Sequence, residues 1–125
     1  MKGNGFNFED LEVWKKSVDF CTDIIDLTEV INTDRRHYRL VEQIESSAAS
    51  ISANISEGKG RYSKKEFVRS LYVARGSLYE TITFLTIFYK KQWINDVQFN
   101  ALKTRGIEIG KMISGLASSI KETID

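Results

Sequence analysis

Apolar residues recur at alternating steps of three and four in four successive segments of this 125-residue chain, and no proline interrupts any of them. That period belongs to the α-helix, where such residues share one face. In the first segment the stripe is Leu11, Trp14, Val18, Cys21 and Ile25, with Asp10 or Asn7 as the cap. In the second it is Leu40, Ile44, Ala48, Ile51 and Ile55. Small residues surround it (Ser46, Ser47, Ala49, Ser50, Ser52, Ala53), so a neighbouring helix can approach closely. The third runs from Ser63 to Lys91, roughly 40 Å as a helix, with Phe67, Leu71, Ala74, Leu78, Ile82, Leu85 and Tyr89 on one side. The fourth starts at Asp96, read as its N-cap, and carries Leu102, Ile109, Ile113, Leu116 and Ile120.

The connections near 31–37, 58–62 and 91–95 are short, so consecutive helices are antiparallel neighbours. The expected fold is all-α, an up-down-up-down four-helix bundle forming one domain over residues 1–125. Trp14, Ile44, Ile51, Leu71, Leu78, Leu85 and Ile113 are its expected core. The third helix has more apolar surface than that core needs. Val73, Phe84 and Ile87 lie on its far side, and Glu80 faces the same way. A helix apolar on two faces is buried on two faces, so these four residues mark an expected contact between copies of the chain.

Chemistry is sparse. A di-iron or di-manganese bundle needs two Glu-x-x-His motifs, and the only histidine, His37, lies in the polar turn DRRHYR. It reads as a solvated loop residue. One cysteine and one histidine cannot supply a zinc site, a Cys–His pair or a Ser–His–Asp set. No catalytic residue, metal ligand or cofactor is assigned, and the chain does not read as an enzyme. Cys21, alone and at helical spacing among apolar neighbours, reads as a buried, inert thiol in a reducing compartment. The N-terminal MKGNGFNFED has no apolar core of a signal peptide, and no apolar run is long enough for a membrane. The expected location is cytoplasmic, with no membrane partner.

The stretch NISEGKGRYSKKEF at 54–67 poses the sharpest question. Gly58-Lys59-Gly60 has neither the spacing of a P-loop nor that of a dinucleotide loop, and a helix precedes it instead of a strand. It reads as a corner. Gly58 is the expected left-handed residue ending the second helix. Ser63 and Glu66 form an S-x-x-E capping box opening the third. Glu57, in a last turn where the helix dipole disfavours a carboxylate, is expected to be engaged by Arg61 or by backbone amides at the start of the third helix, with Gly60 completing the corner.

Charge is unevenly distributed. Net charge is +1, yet residues 1–34 hold three basic and eight acidic side chains, −5, leaving +6 for residues 35–125. Lys59, Arg61, Lys64, Lys65, Arg69 and Arg75 face only Glu66 within residues 59–75. Lys64 and Lys65 occupy a first helical turn, where cations are disfavoured by some tenths of a kcal/mol each. Those six cations, with Tyr72 and Tyr79 interleaved, are the candidate nucleic-acid-binding residues, for RNA or DNA. The alternative is a solvated face on a protein-interaction scaffold.

The segments FEDLEVWKKSVDF at 8–20 and SAASISANISEGKGRYSKKEFVRSLYVARGSLYE at 47–80 resemble the four-helix-bundle proteins encoded by 23S rRNA intervening sequences. The match is densest at Asn54, Glu57, Gly58, Gly60, Arg61, Ser63, Glu66, Phe67, Leu71, Ala74, Gly76, Ser77 and Glu80. The resemblance implies a pentameric assembly without established enzymatic activity. It also implies a fold similar to the accessory proteins of diversity-generating retroelements, which bind nucleic acid and a reverse transcriptase. The sequence departs from the family pattern at Ser52, where proline is common, and at Glu45 and Ser46, where two arginines are.

Overall fold

The computed structural model describes residues 5–34 and 36–124. A short 3-10 turn, Asn7–Asp10, leads into α1 (Glu12–Val30), α2 (Tyr38–Lys59), α3 (Lys64–Lys90) and α4 (Asp96–Lys121). Each helix packs on the one before it, and α4 closes back on α1. This is the expected all-α four-helix bundle, with no strand among the described residues.

The interior is aliphatic and aromatic. Phe20 and Ile24 of α1, Ile44, Ile51 and Ile55 of α2, Leu71, Leu78, Leu85 and Phe88 of α3, and Ile109 and Ile113 of α4 are all fully buried. The stripes of α2, α3 and α4 point inward as their spacing predicts. Leu40, Phe67, Ile82, Tyr89, Leu116 and Ile120 sit at the rim, partly buried against that core.

The phase of α1 differs from the sequence reading. Its inward line is Val13, Ser17, Phe20, Ile24 and Leu27, joined by Cys21. Leu11, Trp14 and Val18 are half-buried on the flanks, and Ile25 is exposed. Trp14 is therefore a flank residue and not, as expected, part of the core. Its indole packs edge-to-face on Phe8 of the 3-10 turn, with ring centroids 5.1 Å apart. The cause is Ser17, which is fully buried because its hydroxyl donates to the Val13 carbonyl at 2.7 Å. A hydroxyl satisfied in this way loses little by burial.

Small residues on α2 bring α3 close. The Ser47 and Thr81 hydroxyls lie 2.8 Å apart inside the bundle, and those of Ser50 and Ser77 2.9 Å apart at its edge. These pairs fix the α2–α3 register without leaving a polar atom orphaned. Gly106 plays the matching part on α4, where a Cβ would meet Ile82 Cδ1 at 2.6 Å.

Two helix starts differ from expectation. Leu11, in extended backbone, precedes α1 with no side-chain cap, while the Asn7 amide instead donates to the Lys59 carbonyl at 3.5 Å. Asn95, not Asp96, caps α4. Its side chain accepts from the Gln98 N–H at 2.8 Å, and the Gln98 side chain accepts from the Asn95 N–H at 2.9 Å. The reciprocal pair satisfies two otherwise free donors, and it pushes Asp96 into the first turn.

Candidate nucleic-acid interface at the α2–α3 corner

The corner is tighter than a left-handed glycine end. α2 continues through Gly58 to Lys59, and the Gly60 N–H donates to the Ser56 carbonyl at 3.2 Å from a right-handed φ of −83°. Gly58 is helical and buried. Its role is contact: a Cβ there would lie 2.5 Å from Ser70 Cβ and 3.1 Å from the Phe67 ring. Ser63 caps α3 as expected, its hydroxyl accepting from the Glu66 N–H at 3.1 Å. Glu66 does not complete the box. Its side chain turns instead toward a surface groove.

Glu57 also departs from its expected role. It is exposed and pairs with neither Arg61 nor another cation among the described residues. The helix stops winding at Lys59, so Arg61 is not carried one turn above Glu57. Solvent screens the carboxylate that the dipole disfavours.

Arg61 joins Arg69 along a groove of about 280 Å³ whose other walls are Asn54, Glu66, Ser70 and Val73. Asn54 is fixed by donating to the Ser50 carbonyl at 2.8 Å and to its hydroxyl at 2.9 Å. Lys64 and Lys65 stand exposed on the adjoining first turn of α3. The Lys59 ammonium is 5.7 Å from the Phe67 ring centroid. None of these cations is in an ion pair among the described residues. The three pairs present are Lys15–Glu12, Lys16–Glu108 and Arg105–Asp23, all of them on α1 or between α1 and α4.

Arg75 is set apart from the other candidates. Its guanidinium lies over Tyr72 at 4.7 Å and Tyr79 at 5.9 Å, and it donates to Ser114 Oγ of α4 at 3.1 Å. Lys121 approaches the same Tyr72 ring at 5.5 Å and donates to its hydroxyl at 3.1 Å. Arg75 and Tyr72 thus brace α3 to α4. A residue absent from the sequence candidates stands at the corner instead: Tyr62, fully exposed between Arg61 and Ser63. An aromatic amid basic residues was its only signal.

Along the outward face of α3, Val73, Glu80 and Ile87 are exposed and Phe84 is half-buried. The pair expected for Glu80 is not made within the chain among the described residues. Gly76 lies on this face with no atom within 4 Å of where a Cβ would stand. At the opposite end of the bundle His37 is not merely solvated. It holds a left-handed conformation before α2 and its ring packs 5.1 Å from that of Trp93.

Among the described residues there is no cluster of three or more His, Cys, Asp or Glu side chains placed to hold a metal. No helix there is long and apolar enough to cross a membrane. Cys21 is buried, and burial, with the Glu45 charge, pushes its thiol above the ordinary range.

No curated protein matches the chain significantly. A solved structure does: a protein of unknown function from the S23 ribosomal protein family of Bacteroides thetaiotaomicron. The two are 25% identical with a TM-score of 0.79, over 85% of this chain and 95% of that one. The family model for the 23S rRNA-intervening sequence protein matches residues 9–115. With a motif-bearing corner, a four-helix plan and a match over most of its length, the chain belongs to the 23S rRNA-intervening sequence protein family.

Proposed function

We propose that the protein is a non-enzymatic, self-associating helical bundle that binds the phosphate backbone of nucleic acid at the α2–α3 corner. The observation that carries this reading is the unneutralised charge there. Arg61 and Arg69 line one groove, Lys64 and Lys65 flank it, and no carboxylate pairs with any of them among the described residues. Four unpaired cations beside the single carboxylate of Glu66 leave a positive surface that supports attraction of a polyanion. The positive end of the α3 dipole adds to it. The family's name associates it with ribosomal RNA genes, which supports an RNA ligand in a cytoplasmic setting.

Self-association rests on the outward face of α3, where Val73 and Ile87 are exposed around Gly76. A pentamer is the assembly that the resemblance implies. Repetition of the corner around a ring would multiply weak single-site affinity. The same face supports a second reading, a protein-interaction scaffold without nucleic acid.

Charge reversal separates the two. Fluorescence anisotropy with labelled RNA and DNA at about 50 mM salt should show binding that Lys65→Glu with Arg69→Glu abolishes, with helicity unchanged. Absence of binding by the native chain, or indifference to the double reversal, favours the scaffold.

A further inference from the structure

We infer that the corner takes single-stranded nucleic acid, with Tyr62 as the side chain on which a base stacks. This rests on the nucleic-acid reading above and names its ligand class. Tyr62 is fully exposed, and its ring makes no stacking or cation–π contact among the described residues. Folding gains nothing from such a ring, whose apolar faces stay in water. The nearby tyrosines on α3 are occupied, since Arg75 and Lys121 lie against Tyr72, and Arg75 also approaches Tyr79. Tyr62 is therefore the tyrosine of this region with ring faces free for a ligand.

Its neighbours supply the rest. Arg61 precedes it, and Lys64 and Lys65 follow the Ser63 cap, all exposed. A ring projecting from a short loop between backbone-binding cations is the arrangement of a stacking platform. It also selects. In a duplex the base faces are covered by their neighbours, so a ring offers them nothing. In a single strand they are free to stack. Cations alone bind both forms, so the ring is what distinguishes them.

The test compares the native chain with Tyr62→Ala and Tyr62→Trp. The probes are labelled oligo(U) and oligo(dT) of about 12 nucleotides, a length within single-strand site sizes, and a duplex of equal length. Tyr62→Ala should weaken single-strand binding about five-fold or more while leaving duplex binding, salt slope and thermal midpoint unchanged. Tyr62→Trp should retain affinity, and its fluorescence should be quenched by single strands. Wild-type single-strand affinity in Tyr62→Ala, or equal losses for single strand and duplex, would overturn the inference and leave the corner's cations as a general polyanion site. Failure of the native chain to bind any probe would overturn the nucleic-acid reading itself, and this one with it.

Discussion

Gly58 of α2 lies against Ser70 of α3 so closely that a Cβ at Gly58 would stand 2.5 Å from Ser70 Cβ. Helix propensity alone favours alanine over glycine by about 1 kcal/mol at an interior position. Contact decides the sign here, because both clashing atoms sit directly on their backbones and cannot rotate away. Gly58→Ala should therefore destabilise the protein by up to about 2 kcal/mol net, an overpacking cost of about 1–3 kcal/mol offset by the propensity gain of about 1 kcal/mol. Urea denaturation checks it. A gain in stability would show that α2 and α3 can separate at the corner.

Cys21 should be inert in the native state. Burial raises its pKa, so less thiolate is present at a given pH than for a free thiol. Alkylation at mildly alkaline pH should be slow in the folded protein and fast in denaturant. The same shift sets a pH dependence. Above the ordinary thiol range the unfolded chain gives up the proton first, so stability should fall as pH rises through that window. Rapid native-state labelling would contradict the buried placement.

The outward face of α3 gives a prediction on mass. Ile87 is partly exposed, so Ile87→Lys should spare the core, whereas the half-buried Phe84 also packs against the interior. Gly76→Leu fills open space in the single chain but would obstruct a closely packed neighbour. Both substitutions should keep the helical circular dichroism and lower the mass seen by light scattering. A native chain already at the 14.3 kDa of one copy would remove the self-association reading.

Much of this fold was legible because α2, α3 and α4 place aliphatic residues inward at nearly every turn. α1 was misphased for a physical reason. A serine in the interior, satisfied by its own helix, breaks the apolar line Val13–Phe20–Ile24–Leu27 and lets Leu11, Trp14 and Val18 pose as the stripe. At the corner the position of the turn and the Ser63 cap were legible, and other structural roles were misassigned. Gly58 looks the same whether it turns the chain or admits a neighbour, since Ser70 comes near it only on folding. The Glu57–Arg61 brace presupposed a helix that runs on past Lys59. Arg75 was indistinguishable from Lys65 and Arg69 until α4 supplied Ser114.

The salt dependence of nucleic-acid binding tests the corner's proposed role most directly. A single strand that releases counterions from Z phosphates gives a log–log slope of about −0.7Z. With Arg61, Lys64, Lys65 and Arg69 engaged, the native slope should be steeper than about −2, and Lys65→Glu with Arg69→Glu should abolish the binding. A native affinity indifferent to salt, or no measurable binding at low salt, would contradict the account.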